Sequence, residues 1–387
     1  MSWYSFRKGL QTVHLWAGLI LSVPFILLGL SGSVLLLQPE VPRFSIPYAP
    51  GLGKTQSVEH ILKAAQAAAP QGMLATRISL PQRPGEPASV RYATPGRAFG
   101  GQNQGGNVVY VDAVTLKILG TGVQARPAQI FQFARQLHAT LFVDSISGRK
   151  IVGWLGIAWT LLMLSGVVLW WPKPGQWRSA FGVKRGSHGV RLNRDLHSAF
   201  GFWTALLMLG IGFSGLYLTF PSDFRYAVGT VLPLGQNFSD NSNSAQPPVP
   251  SGPPLDLDQT VVLAETKVRD AEPIGIQPAL RSGDTEVLTL APNAYGVGGL
   301  TALVIVDPKT RTVTYVDDPR TYAIGEQFVL WQRQVHSGLG FGFLYKALVF
   351  SSGFLPLLFA ITGVRMWWLK RTQRRTARPE AVAVPAE

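Results

Sequence analysis

Two heptads, RQLHATL at 135–141 and RQVHSGL at 333–339, each set a histidine three residues after an arginine in nearly the same local context. Arg194 and His197 repeat that spacing. His14 matches His197 in a different way. Each is followed four residues on by a glycine (Gly18, Gly201), and eighteen residues on by the glycine of a Ser-Gly pair (Ser31-Gly32, Ser214-Gly215). Four of the six histidines therefore fall into related couples. Neutral imidazole is a strong nitrogen ligand that a helix can present rigidly. Two imidazoles on one iron fill both axial positions and favour electron transfer over oxygen binding. Two couples at two depths would suit two haems, His14 with His197 and His138 with His336.

The neighbours of these histidines fit the same chemistry. Arg135, Arg194 and Arg333 each lie one helical turn from a histidine, on the same face and toward water, where an anionic propionate would meet a guanidinium. Gln11 takes that place before His14. Gly18 and Gly201, with Gly32 and Gly215, leave room for a flat group between closely approaching helices. Three rival readings exist. Intramembrane histidines also serve as interhelical hydrogen-bonders, and arginines at a membrane edge snorkel. Zinc is the third, but these ligands come in twos with no obvious carboxylate beside them. His60 and His188 have no counterpart and read as surface residues.

The elements that position these residues are long and apolar. The chain is 47% hydrophobic and only 14% charged, against about a quarter charged in soluble domains. Uncharged runs at 15–37, 151–171, 198–220 and 347–364 each match the roughly 17–25 residues that cross a bilayer as a helix. Arg7 and Lys8 precede the first run. Lys173, Arg178, Lys184, Arg185, Arg191 and Arg194 lie between the second and third, and Lys370, Arg371, Arg374, Arg375 and Arg378 follow the fourth. The positive-inside rule puts these segments, and both termini, in the cytoplasm. The net charge of +14 is then topological, and no nucleic-acid partner is needed to explain it. The first run is longer than a signal h-region and lacks a clear A-x-A site, so it reads as an anchor. With no cysteine in the chain, disulfides, thiolate clusters and covalent C-x-x-C-H haem attachment are excluded. Any haem is held non-covalently, as haem b.

The expected architecture is a four-helix transmembrane bundle in two repeated halves, with two small external α+β domains. The expected boundaries are a cytoplasmic N-terminus at 1–10, a transmembrane helix at 11–37 and an external domain at 38–130. An interfacial segment and second transmembrane helix take 131–172, then a cytoplasmic loop 173–194 and a third helix 195–220. The second external domain is 221–325, the fourth interfacial segment and helix 326–369, and the cytoplasmic tail 370–387. The returning helices repeat as LSGVVLWW (164–171) and ITGVRMWW (361–368). In the external parts, ATRISL, ASVRYA and NVVYVDAVTLKIL alternate as half-buried strands, as do IGIQPAL, EVLTLAP and LVIVDPKTRTVTYV. Asp112 and Asp307 open turns after V-x-V runs, and Ser57 and Asp258 are the expected N-caps of one short helix in each part. The stretches PGRAFGGQNQGGN (95–107) and SDNSNSAQPPVPSGPP (239–254) read as mobile loops or a substrate lid. A straight helix from His138 to Trp171 would run about 50 Å, so it extends past the bilayer or breaks near FVDSISGR (142–149).

The strings VHLWAGLILSVPFILLGLSGSVLLL and LH…SGVVLWW, with the duplicated external part, resemble the PepSY-associated transmembrane proteins, also called iron-regulated membrane proteins, over nearly the whole chain. The resemblance implies PepSY-like periplasmic domains and a bacterial inner-membrane location. Members that the chain resembles include inner-membrane ferric-siderophore reductases with two b-type haems, for which His14, His138, His197 and His336 are the matching ligand candidates. On that reading electrons would enter near His14/His197 and leave near His138/His336 to a periplasmic acceptor such as an Fe(III)–siderophore. The cytoplasmic segments are too short for a flavin or nicotinamide domain, and no strand–G-x-G-x-x-G–helix unit appears, so the donor would be quinol or a separate reductase. The alternatives are a quinol-linked haem relay to a periplasmic redox protein, or a haem-free membrane module whose PepSY-like domains bind or restrain another protein.

Overall fold

The computed structural model describes residues 3–38, 40, 46–94, 107–123, 129–235, 253–280, 284–295 and 299–376. Most of the two expected loops at 95–107 and 239–254 falls outside the described residues, as do Arg378 and the side chains of Arg178, Arg374 and Arg375.

Four helices are long and apolar enough to cross a membrane. The first, α1, runs from Trp3 to Leu36 and starts ahead of the apolar run, where Gly9 is the one glycine and no proline breaks the stretch from Trp3 to Gln11. A short amphipathic helix α2 (Val58–Gln66) and strands β1 (Leu74–Ser79), β2 (Ala88–Ala93), β3 (Asn107–Val111) and β4 (Ile118–Val123) follow. Then come α3 (Gln129–Thr140) and the spanning helix α4 (Ser147–Trp170). The one-turn α5 (Trp177–Ala180) leads to the spanning helix α6 (Gly189–Thr219), then α7 (Pro221–Gly229) and α8 (Leu257–Lys267). Strands β5 (Ala271–Gln277), β6 (Glu286–Pro292), β7 (Ala302–Asp307) and β8 (Thr312–Asp317) precede α9 (Ile324–Ser337), α10 (Gly342–Ser352) and α11 (Leu355–Thr376). The fourth span is Gly342–Gln373, interrupted between α10 and α11 at Gly353.

The long helix after His138 is broken. Leu141 and Phe142 take positive φ of 51° and 61°, and Asp144 Oδ1 then accepts the backbone N–H groups of Ile146 and Ser147 at 3.0 and 2.9 Å. That carboxylate satisfies donors at the start of α4 that have no intrahelical partner. After His336 the same reversal is made with glycine instead: Gly338, Gly340 and Gly342 all have φ between 67° and 78°, a region glycine enters without steric cost.

The spanning helices form a ring. Helix α1 packs on α4 and α11, α6 packs on the same two, and so α1 and α6 stand at opposite corners. Helix α3 lies on α1, and α9 lies on α6.

The two external stretches expected as separate domains share one antiparallel sheet, in the order β4-β3-β2-β1-β5-β6-β7-β8. Its seam is β1–β5, where Ile78 pairs with Ile276 and Ser79 with Gly275. Alternation explains the layering. Ile78, Val90, Val109, Ile276, Leu288 and Val304 all point to one face and are at most 1% exposed. Helices α2 and α8 cover that face and touch each other, and one core cluster runs across the seam. At about 1.5–3 kcal/mol per fully buried aliphatic side chain, the shared core binds the two stretches together. Ser57 caps α2, its side chain accepting His60 N–H. The cap of α8 is Asp256, in a capping box with Gln259, not Asp258. Asp258 is used across the seam, where its Oδ1 accepts Glu59 N–H at 3.2 Å. Asp112 and Asp307 do open their turns, accepting two following backbone N–H groups each.

Candidate functional site

The ring of spanning helices, with α3 and α9 lying against it, brings four histidines into two pairs. His14 on α1 and His197 on α6 come together from opposite corners, with ring centroids 6.4 Å apart and planes at 79°. His138 on α3 and His336 on α9 meet at the end nearer the sheet, 6.0 Å apart with planes at 54°. His60 and His188 are exposed and belong to neither pair.

Each imidazole is oriented through Nδ1. His138 Nδ1 lies 2.8 Å from the carbonyl oxygen of Leu28, and His336 Nδ1 lies 3.0 Å from that of Ile211. A carbonyl only accepts, so in both rings Nδ1 carries the proton and Nε2 keeps the lone pair. At the other level the acceptors are hydroxyls. His14 Nδ1 lies 2.7 Å from Ser165 Oγ, and His197 Nδ1 2.8 Å from Thr362 Oγ1. Both hydroxyls donate their own proton to a helix carbonyl, of Leu162 and Leu358 respectively, at 2.8 Å. Their oxygens are thereby left to accept Nδ1–H. All four rings share one tautomer, with Nε2 as the donor atom, which is how metal-binding histidines are fixed by a second hydrogen bond.

A hydroxyl residue followed by glycine stands against every one of these rings. A Cβ built on Gly32 would lie 2.9 Å from His138 Cε1, and one on Gly215 would lie 3.2 Å from His336 Cε1. The corresponding distances are 3.4 Å from Gly166 to His14 and 3.9 Å from Gly363 to His197. Glycine is required for the closest of these approaches. The dipeptides Ser31-Gly32, Ser165-Gly166, Ser214-Gly215 and Thr362-Gly363 are legible in the sequence, but the roles of Ser165 and Thr362 as Nδ1 acceptors emerge only from packing. Gly18 and Gly201 do not touch a histidine. A Cβ on Gly18 would meet nothing within 4 Å, and one on Gly201 only Phe359 Cε1 at 4.0 Å. The backbone one turn after His14 and His197 is thus open.

The arginines differ from one another. Arg135 donates to Gln38 Oε1 at 2.7 Å, Arg194 is 3.5 Å from the carboxylate of Asp195, and all three guanidiniums are exposed. Asp195 is buried and accepts a hydrogen bond from Ser187 Oγ at 3.2 Å, a role that nothing in the local sequence marks.

The donor set narrows the chemistry. Nitrogens about 2.0–2.1 Å from a shared first-row metal put two imidazole centres roughly 6 Å apart, as both pairs are. Among the described residues no group of three or more His, Asp or Glu gathers to hold an ion. Each pair can offer two nitrogens only, which suits a metal that brings its own equatorial ligands and does not suit tetrahedral zinc. Between the levels the side chains are apolar: Phe25 and Trp159 pack edge to face at 5.0 Å, and Leu162 and Met208 are buried.

A comparison with curated proteins finds no match. The family model for the PepSY-associated TM region matches residues 11–370, a stretch that holds the sheet, both histidine pairs and all four spanning helices except the first turns of α1 and the last turns of α11. The chain is a multi-pass membrane protein and belongs to the PepSY-associated TM region family.

Proposed function

We propose that the chain is a bacterial inner-membrane oxidoreductase with two b-type haems, whose acceptor is Fe(III) held in a siderophore on the periplasmic side. The observation that carries this is the pairing: two sets of facing imidazoles, each fixed with Nε2 as the free ligand atom and spaced for a single metal. Haem iron between two histidines supplies reversible one-electron exchange. The protein's own part is to hold and shield. His14 and His197 would grip one group from opposite corners of the ring, and His138 and His336 the other. The open backbone at Gly18 and Gly201 leaves space for a flat ring beside the first pair. Phe25 and Trp159, packed edge to face, would keep water out of the span between the levels. Arg333, without a partner among the described residues, is the arginine best placed to meet a propionate, while Arg135 and Arg194 would exchange Gln38 and Asp195 for one.

Arg7, Lys8, Lys173, Lys184, Arg185, Lys370 and Arg371 cluster at the end away from the sheet. That end is cytoplasmic by the positive-inside rule, which leaves the sheet in the periplasm. A siderophore binds Fe(III), a hard ion, far better than Fe(II), so one-electron reduction releases the metal and spares the ligand. Electrons would come from quinol in the bilayer or from a separate reductase.

The test is an absorption spectrum of the detergent-purified chain, oxidised and dithionite-reduced, with haem quantified as the pyridine haemochrome. Sharp low-spin b-type bands at about two haems per chain are expected, falling to one in His138→Ala or His336→Ala. A colourless protein from haem-replete cells would overturn the reading and favour a haem-free binding module.

A further inference from the structure

The face of the sheet turned away from α2 and α8 carries a like-charge pair at its centre. Arg77 on β1 is directly opposite Arg91 on β2. Both lie beside the Ile78–Val90 pair, whose side chains enter the core, so both guanidinium groups project from the open face. Directly opposed like charges destabilise a sheet. Neither guanidinium has an ion-pair or hydrogen-bond partner among the described residues. Burial, followed by the neighbouring Arg77 charge, lowers the pKa of Arg91, with the nearby Tyr110 phenol acting the other way.

The second half of the sheet provides a built-in comparison. Across the seam, Ile276 pairs with Ile78, and the positions that correspond to Arg77 and Arg91 by register are Gly275 and Thr289, which also pair with each other. The same strand geometry forms there with no charge, so the arginines are not needed to build the sheet. Gly275 instead gives them floor space: Arg77 Nη2 lies 3.7 Å from where a Gly275 Cβ would be, and Thr289 Cβ lies 3.8 Å from it. Ser79, paired with Gly275, and Ser89, paired with Tyr110, add hydroxyls on the same face. The nearest acids on this face are remote. Glu272 sits about 10 Å along β5 from Gly275, and Asp317 is on edge strand β8, three strands or about 14 Å across.

We infer that Arg77 and Arg91, over the glycine floor at the β1–β5 seam, bind an anionic, oxygen-rich ferric chelate of the carboxylate or catecholate type. The inference rests on the proposed reductase reading and adds the charge class of its substrate. Two planar guanidiniums on adjacent strands can each grip a carboxylate or catecholate edge through paired N–H donors. A neutral hydroxamate chelate offers them no charge to neutralise. An anion between the arginines would also offset the repulsion between the opposed Arg77 and Arg91.

The test uses the full chain in detergent and the redox-inert Ga(III) complexes of a tris-catecholate and of a neutral tris-hydroxamate, with binding read by isothermal titration calorimetry. The wild type should bind the anionic complex at least about tenfold more tightly than the neutral one. Arg77→Gln and Arg91→Gln should each lose about tenfold or more for the anionic complex and leave the neutral one unchanged. Because each substitution removes a repulsion, neither should lower the apparent melting temperature, so lost binding cannot be misfolding. Arg91→Lys should retain part of the affinity. Equal affinity for the two complexes, or unchanged binding in both Gln variants, overturns the proposal, as does anionic-lipid vesicle binding that depends on Arg77 and Arg91 while chelate binding does not. Gallium binding does not need electron transfer, so a colourless protein that still shows this pattern would sink the reductase reading alone. Reduction of an Fe(III) chelate with kinetics unmoved by the Gln variants would sink the anion platform alone.

Discussion

Replacing each of the four imidazole-facing glycines by alanine separates a built histidine cradle from ordinary helix packing. In a helix interior alanine is favoured over glycine by about 1 kcal/mol, so without a cradle every variant should be more stable. The cradle changes the sign at one end of the series. At Gly363 the new methyl would sit 3.9 Å from His197 Cε1, an ordinary contact, and the propensity gain should survive. At Gly166 and Gly215 the distances of 3.4 and 3.2 Å require small adjustments that cancel part or all of it. At Gly32 the methyl would lie 2.9 Å from His138 Cε1 and 3.2 Å from Nδ1. The ring cannot retreat without losing its 2.8 Å bond to Leu28 oxygen on the same helix. Overpacking costs about 1–3 kcal/mol and the lost hydrogen bond about 1 more, against about 1 gained.

Gly32→Ala should therefore be about 1–3 kcal/mol less stable than wild type, and Gly363→Ala up to about 1 kcal/mol more stable. Thermal unfolding followed by far-ultraviolet circular dichroism in one detergent would read this order at roughly 1–2 °C per kcal/mol for a chain of this length. The expected ranking, from most to least stable, is Gly363→Ala, Gly166→Ala, Gly215→Ala, Gly32→Ala. A Gly32→Ala protein as stable as Gly363→Ala would refute the tight contact between α1 and the His138 ring.

Two further outcomes follow from the same structure. Ser165→Ala leaves the His14 Nδ1–H without its acceptor, and Thr362→Val does so for His197, so each should weaken haem uptake by the apo-protein about 10–100-fold. Ser31→Ala and Ser214→Ala should hardly matter, since those hydroxyls stand 3.4 and 3.3 Å from Nδ1 while a carbonyl is closer; equal losses in all four, measured by spectrophotometric titration, would contradict the tautomer assignment. In the sheet, Glu286 is 6% exposed and its Oε2 has no partner among the described residues. Burial first, then the charges of Glu59 and Asp256, raise its pKa against the hydrogen bonds from Thr260 and the Ala279 backbone. A carboxyl held above its unfolded value binds more protons when folded, so its stabilising share is present below about 4.5 and is lost as pH climbs through the raised value. Glu286→Gln should gain stability relative to wild type at pH 8 and little at pH 4.5, and a melting-temperature difference independent of pH would exclude this.

Much of the membrane part was legible because bilayer physics writes itself into composition. Apolar runs and basic flanks need no tertiary information, and the four helices at Trp3–Leu36, Ser147–Trp170, Gly189–Thr219 and Gly342–Gln373 cover the four runs to within a residue at their C-terminal ends. The histidine pairs were suggested by spacing, because eighteen residues of helix rise carry His14 to one level and Gly32 to the other. What the spacing could not reveal is which atom holds each ring. Ser165 and Thr362 come to His14 and His197 from helices 151 and 165 residues away, and Leu28 and Ile211 act through backbone carbonyls that any residue would supply. Asp258 shows a similar limit. It satisfies the rule for an N-cap, yet the two helices pack closely enough for it to serve the neighbouring one, while Asp256 takes the cap.

The sheet shows most clearly why order along a chain underdetermines a surface. Alternation assigns Arg77 and Arg91 to solvent, where arginine is unremarkable. Their opposition depends on the register of β1 on β2, and that register is shifted between Ala75 and Arg77. Without the irregularity the alternation on β1 would continue unbroken through Thr76, and nothing in the string ATRISL announces it. The fusion of the two stretches at β1–β5 then sets Gly275 beside Arg77 from nearly two hundred residues away. In the bundle, corresponding positions in the two halves carry matching residues, Ser31 with Ser214 and Ser165 with Thr362, as expected where both must orient an imidazole. On the open face they do not match: arginine and arginine stand on one side of the seam, glycine and threonine on the other. A face shaped only by strand pairing would have no reason to keep the unpaired charges on one side. The difference between the halves is therefore where a ligand's own asymmetry should be sought.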